Sequence, residues 1–231
     1  MKSIKTILEK MTKQREHRKF VDEYTKNGNQ VILIKDGQEI LNPIIEGLVV
    51  KFEGKNGKII IHHPIKIIEN LNIICGDDSL VEIKESDNYY KHSLIAATAK
   101  NSYIKIGKNC SLNWGCNLIV DFEPNLHIIL GDECMLAPRV WMRTSDGHSV
   151  LSMDNKLLNK GGNIEIGNNV WILQNCAILK KSFIPNNTIV GTYSVVNKKF
   201  DKEYTMIAGN PAKVVRENIY WSRKRPYEFT E

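Results

Sequence analysis

Between Ile164 and Lys198, branched aliphatic residues return at every sixth position, with mostly small or polar residues between them. Cutting the chain at these residues gives Ile166-Gly-Asn-Asn-Val-Trp, Ile172-Leu-Gln-Asn-Cys-Ala, Ile178-Leu-Lys-Lys-Ser-Phe, Ile184-Pro-Asn-Asn-Thr-Ile and Val190-Gly-Thr-Tyr-Ser-Val, then Val196. The same frame runs earlier through Ile106, Leu112 and Leu118, and through Leu130, Leu136 and Met142. An amphipathic helix spaces its apolar residues by three and four, so this period excludes one. The fifth place of each hexad is compact: Cys110, Cys116, Cys134, Val140, Val170, Cys176, Ser182, Thr188 and Ser194. A unit this short cannot bury its apolar side alone and must stack on its neighbours. Six residues per side and three sides per turn describe an all-β solenoid, a parallel β-helix. Its first hexad position fills the prism, and its fifth packs at a corner that admits only a small side chain.

Upstream the pattern shortens to alternating strands, predicted at Val31–Lys35, Leu48–Phe52, Lys58–Ile61, Ile73–Cys75 and Val81–Lys84, with turn signals such as Asp36-Gly37 between them. Strand-like triplets begin near Ile59, Val81, Ile104, Ile128 and Ile164, at spacings of 22, 23, 24 and 36. That drift predicts irregular, loop-bearing coils first and tight coils last. The expected organisation is a helical basic segment over 1–30, an irregular solenoid extension over 31–103, the hexapeptide domain over 104–212 and a short basic helical tail over 213–231. Residues 143–163 break the frame and must leave the prism as a loop. Long ordered loops on rigid scaffolds are where function concentrates, and this one carries His148.

Composition changes this picture little. At 25% charged and 42% hydrophobic the chain is an ordinary globular protein. No apolar run reaches the length of a membrane span, and the first residues lack the apolar core of a secretory signal, so a cytoplasmic location is expected. The five cysteines are odd in number, and four occupy the small fifth place of a hexad, which reads as reduced structural residues. The net charge of +6 gathers at the two ends, from Lys2 to Lys19 and from Lys213 to Arg225. Each cluster reads as a solvated face. In the first, Ile4, Ile7, Leu8 and Met11 also form a helical stripe that could dock on the solenoid end or a partner. No nucleic-acid motif accompanies the charge, so no nucleic-acid partner is expected. Phosphorylated small molecules, or a membrane surface carrying anionic substrates, suit it better, with peripheral membrane association as one outcome. Trp141 and Trp171 both take the sixth hexad place, beside an inward aliphatic, and strand alternation points them outward.

Three stretches carry a resemblance: Cys116-Asn117-Leu118-Ile119-Val120-Asp121, then Ile129-Leu-Gly131-Asp132-Glu-Cys-Met-Leu-Ala137-Pro138, then Asp146-Gly147-His148. They resemble the hexapeptide-repeat O-acetyltransferases of the galactoside and maltose type. Ile166-Gly-Asn-Asn-Val170-Trp171-Ile172 and Ala208-Gly-Asn210-Pro211-Ala212-Lys213-Val214-Val215 are most similar to the branch acting on bacterial capsular, lipopolysaccharide and other surface glycans. The resemblance covers residues 104–216, about half the chain. It implies a left-handed β-helix, acetyl-CoA as acetyl donor, a glycan or sugar acceptor and a homotrimer.

The chemistry asks for little. A sugar hydroxyl attacks a thioester only with a base in reach, and histidine, with an unperturbed pKa of about 6.5, is suited to that. His148 occupies the family's loop-histidine position and is assigned the base. Asp146 reads either as orienting the loop or imidazole or as ordinary Asp-Gly turn chemistry. By resemblance Asn117 matches an asparagine that contacts the acceptor, although a corner turn explains it nearly as well. The surface-glycan branch has a tryptophan in its site at the Trp171 position. Trp141 is read as packing at an interface or beside the acceptor. For coenzyme A the resemblance implies Gln174, Thr192, Asn197, Lys198, Lys213 and Arg216, the cations serving the phosphates. Departures from the family pattern at Gly191-Thr192-Tyr193-Ser194, Leu173 and Leu179 narrow the expected groove and favour acetyl-CoA over a long acyl-CoA. Two other classes stay open: an N-acetyltransferase acting on an amino-sugar nucleotide, and a non-catalytic scaffold. A zinc enzyme on this fold needs three converging histidines. Only His127 and His148 lie in the regular part, so no metal is expected.

Overall fold

The computed structural model describes residues 21–229. The chain winds into a three-sided prism whose faces are parallel sheets of eight, eight and seven strands. Each coil visits face 1, face 2 and face 3 in turn; one full turn runs through Ile164–Ile166, Trp171–Ile172 and Ala177–Leu179. The spacing of 22, 23, 24 and 36 residues is the ladder itself, since Ile59 pairs with Val81, Val81 with Ile104, Ile104 with Ile128 and Ile128 with Ile164 on face 1. The excess in the last step is the loop. Beyond it the coil closes in eighteen residues, Ile166 pairing with Ile184.

The hexad positions explain the prism. First-position residues from Ile106 to Val196 are buried and form one continuous apolar column. Each such side chain contributes roughly 1.5–3 kcal/mol of burial. Fifth-position residues are buried too, and their small polar atoms satisfy backbone carbonyls of the adjoining coil. Cys110 Sγ approaches Gly131 O at 3.1 Å, Cys134 Sγ approaches Gly167 O at 3.1 Å, and Ser182 Oγ donates to Val196 O at 3.1 Å. A compact side chain is what the crowded corner requires, Val140 and Val170 serving there without a donor, and all five cysteines are free and buried. Burial pushes the Cys75 thiol up to about 12 and the Cys116 thiol to about 11. The fourth position turns the corner with positive φ, as at Asn169 (53°) and Asn187 (56°), a conformation asparagine tolerates better than most residues. The two side chains continue the ladder, with Asn169 Nδ2 donating to Asn187 Oδ1 at 2.9 Å. The second-position glycine allows the coils to close up: a Cβ on Gly131 would lie 2.7 Å from the Gly167 carbonyl carbon.

Some expectations change. Residues 31–103 extend the same solenoid, their strands joining the three sheets with one register irregularity, between Ile65 and Ile67. The alternation missed Ile65–Glu69, Ser86–Lys91 and Leu94–Ala97, and it missed Gln38–Leu41, which folds back antiparallel on Gln30–Lys35. The tail expected to be helical is a strand followed by irregular chain. Ala212–Glu217 pairs antiparallel with Thr205–Gly209, and Pro226–Glu228 forms a single 3-10 turn. Residues 21–25 are helical, while the basic cluster and apolar stripe of the first nineteen residues lie outside the described residues. No helix among the described residues is long and apolar enough to cross a membrane.

The last segment folds back over face 2. Trp221 packs on Trp171 with ring centroids 5.7 Å apart and donates to Asn169 O at 2.7 Å. Arg223 donates to Asn109 O, Cys134 O and Ser111 Oγ at 3.0, 3.0 and 3.1 Å, lacing successive coils together.

Candidate active site

The loop leaves the prism at the corner between faces 3 and 1, directly after the strand Trp141–Arg143, and returns at Ile164–Ile166. An ion pair anchors its root. Arg143 Nε and Nη2 donate to Asp121 at 3.0 and 2.7 Å, Ser145 Oγ donates to the same carboxylate at 2.9 Å, and the Arg143 guanidinium lies over the Phe122 ring at 5.3 Å. Such bidentate, partly buried geometry fixes direction as well as distance.

Farther out, Asn159 ties the two limbs of the loop together. Its Oδ1 accepts from Val150 N at 2.7 Å, and its Nδ2 donates to Asp146 Oδ2 and to His148 O, each at 2.8 Å. Lys180, on the next coil, bonds to the Asp146 carboxylate and donates to Asn159 O at 2.7 Å. Hydrogen bonds from Lys180 and then Asn159 hold the Asp146 carboxyl below its ordinary range. Asp146 thus bonds Lys180 and Asn159 at the base of the loop. His148 itself is exposed, at the rim of a cleft of about 290 Å³ bounded by Phe122, Glu123, Ser145, Leu157 and Asn159. The arrangement is a fixed backbone presenting a free imidazole to an open cleft.

The other predicted residues fall into separate groups. Asn117 and Trp141 are ladder neighbours on face 3, both half-buried, with Asn117 Nδ2 donating to Gly115 O at 2.9 Å. Gln174 and Thr192 stack at the corner between faces 2 and 3, where Thr192 Oγ1 donates to Gln174 O at 2.9 Å. Asn197 and Lys198 are exposed at the corner between faces 3 and 1 on the last coil, with Lys198 Nζ over the Phe200 ring at 5.1 Å. Lys213 and Arg216 are exposed on the final hairpin strand. Trp171 does point outward, but on face 2 and beneath Trp221, and its Nε1 is buried without an acceptor among the described residues. A single chain therefore does not gather these residues into one pocket. Sequence reasoning missed Arg143, Ser145, Asn159 and Lys180. Lys180 and Lys181 stand in the fourth hexad turn beside Lys198 and Lys199 one coil on, so a basic edge runs from the loop to the last coil. Repeated lysines at equivalent hexad places were the available signal.

No family model matches the chain. Over 131 residues, 52% of this chain and 61% of the relative, it is 38% identical to a polysialic acid O-acetyltransferase of Neisseria meningitidis. Over 172 residues, 74% of each protein, it is 31% identical to an uncharacterized 24.8 kDa protein in the cps region of Klebsiella pneumoniae. The crystal structure of the polysialic acid O-acetyltransferase OatWY superposes with a TM-score of 0.64 at 25% identity, covering 87% of this chain and 93% of that one. The chain spans about half the length of the polysialic acid enzymes it matches. The fold is thus a left-handed β-helix of hexapeptide repeats, with the loop set in its corner. The chain belongs to the hexapeptide-repeat acetyltransferase family.

Proposed function

We propose that the protein transfers the acetyl group of acetyl-CoA to a hydroxyl of a capsular polysaccharide containing sialic acid. One observation carries this reading: a braced loop presents His148 at an open cleft, in a chain 38% identical over 131 residues to a polysialic acid O-acetyltransferase. The acceptor hydroxyl attacks the thioester carbon as His148 takes its proton. The C–O bond forms, the tetrahedral oxyanion collapses with cleavage of C–S, and the departing thiolate recovers the proton from the imidazolium. No covalent enzyme intermediate is needed. Lys198 and Lys199, beside Lys180 and Lys181 one coil back, supply positive charge near the loop for the phosphates of the donor or the carboxylates of the acceptor.

Because His148 stands at the corner of faces 3 and 1 while Trp171 lies on face 2, the two meet only across a subunit boundary. The Trp171 N–H, unpartnered among the described residues, is consistent with a site completed by a second copy or by ligand. The working unit is then a cyclic homotrimer with one groove per boundary. An acetyl-CoA donor places the reaction in the cytoplasm. Calorimetry with coenzyme A, followed by transfer of labelled acetyl groups to a panel of capsular polymers, tests the reading. Coenzyme A binding and O-acetyl esters on the sialic acid polymer are expected. No coenzyme A binding at millimolar ligand would overturn it, as would label appearing on an amino-sugar nucleotide in place of the polymer.

A further inference from the structure

Starting one coil toward the N-terminus from the loop, face 3 opens into a second cleft of about 380 Å³, bordered by Lys51, Asn70, Asn72, His92, Leu94 and Asn117. It is continuous with the predicted acceptor region, because Asn72, Leu94, Asn117 and Trp141 are successive rungs of one ladder. At about 4.8 Å per rung, the cleft runs from Asn117, about 5 Å from the coil that launches the loop, to Val49, about 19 Å from it. That extent exceeds a single sugar and matches a short run of a polymer.

The lining has the chemistry of a carbohydrate site. Trp114 stands beside the cleft, at the corner between faces 2 and 3, and is 55% exposed, uncommon for an indole on a rigid coil. Its ring is stacked on His92, with centroids 4.2 Å apart and planes 30° apart. The imidazole is held on both nitrogens: Asn70 Nδ2 lies 3.3 Å from Nδ1, and Glu69 Oε1 lies 3.0 Å from Nε2. The aromatic pair is therefore fixed before any ligand arrives. Asn72 and Asn117 each commit their amide nitrogen to a backbone carbonyl, at 3.2 and 2.9 Å. Their amide oxygens find no partner among the described residues and remain available to sugar hydroxyls. A flat apolar platform flanked by fixed amide acceptors matches the alternating C–H and O–H surface of a pyranose ring. A docking surface for a protein would instead be more continuously apolar at its centre.

The geometry points to a second acceptor subsite at Trp114, His92 and Asn72, which holds sugars of the capsular polymer beyond the one acetylated at His148. This inference rests on the proposed acceptor class, so its test measures binding without acetyl donor. Sialic acid oligomers of graded length, from dimer to octamer, are titrated into the full protein by calorimetry, with ligand-observed NMR to report contact. Affinity is expected to rise with length, and Trp114→Ala to weaken the longest oligomers about 3–10-fold while leaving the dimer unchanged. Trp114→Phe, which keeps a stacking face, should retain most of the gain. Equal affinity of Trp114→Ala for every oligomer would overturn the subsite. So would a fall in assembly size by light scattering, which would make Trp114 an interface residue, or binding of no oligomer at all. Failure of acetyl transfer with length-dependent binding intact would count against the transferase reading and leave the subsite standing.

Discussion

Asn159→Ala removes three hydrogen bonds and no apolar packing, which makes it the cleanest perturbation of the loop. The bonds lost are those to Val150 N at 2.7 Å and to Asp146 Oδ2 and His148 O at 2.8 Å. A net hydrogen bond is worth about 0.5–1.5 kcal/mol, and water replaces part of each at this partly exposed position, so the loop loses about 1–3 kcal/mol of local order in place of the full sum. At about 1.4 kcal/mol per tenfold change in population, the productive placement of His148 becomes roughly 10–100-fold rarer. The expected result is a fall in kcat of that size, with KM for acetyl-CoA unchanged, because the predicted donor contacts lie on other coils. Amide exchange at Val150 should accelerate by a similar factor. Thermal unfolding should shift little, since every hexad core residue is intact. Asn159→Asp keeps the acceptor for Val150 but loses both donors and sets a second carboxylate beside Asp146, so it should recover little activity. A wild-type kcat in Asn159→Ala would refute the role given to the loop. A loss of Tm as large as that from a core substitution would refute its independence from the prism.

Three further outcomes follow from the same structure. Leu118, fully buried in the apolar column, should cost about 2–5 kcal/mol on replacement by alanine, read by denaturant unfolding, with a cavity and no change in oligomeric state. All five thiols are buried, with those of Cys75 and Cys116 pushed up to about 12 and 11. Thiol reagents at pH 8 should therefore label none of them until the protein unfolds, and rapid labelling of native protein would contradict the corner packing. Asp146 is held ionised by Lys180 and Asn159, so its folded pKa lies below its unfolded one. Its contribution to loop order is fully present above the ordinary carboxylate range and is lost only as pH falls through the lower folded value. Lys180→Met should move that loss up to the ordinary range, as followed by carboxyl NMR, and an unmoved titration would remove Lys180 from the brace.

What was legible in the sequence was whatever the solenoid repeats. Ile166, Ile172, Ile178 and Ile184 announced the inward column because each coil presents the same environment to the same place, and the cysteine and serine fifth positions announced the corners. The strand Ser86–Lys91 was missed because Ser86-Asp-Asn-Tyr-Tyr-Lys shows no clear alternation, its inward Tyr90 sharing the strand with polar residues. The tail strand was missed because Ala212–Glu217 takes its conformation from the strand it pairs with, and Trp221 and Arg223 take theirs from corner carbonyls distant in sequence. For the site, the frame break revealed the loop and its histidine. The brace stayed hidden because Asp121–Arg143 and Asp146–Lys180 join charges 22 and 34 residues apart, a proximity that only coil stacking creates. Trp171 was read correctly as outward, but the covering of its face by Trp221 is a long-range contact with no local signal.

The central claim is that the loop histidine drives acetyl transfer to a polymeric acceptor. The most direct test is the initial rate of label transfer from acetyl-CoA to sialic acid polymer, measured across pH for the wild type and for His148→Ala at equal occupancy of coenzyme A. The wild-type rate should fall on acidification, because only a neutral imidazole accepts the hydroxyl proton. His148→Ala should lower kcat by roughly 10²–10⁴ and flatten the profile, with coenzyme A affinity unchanged. An alanine variant with the wild-type rate and the same pH profile would contradict the account and return the loop to a structural role.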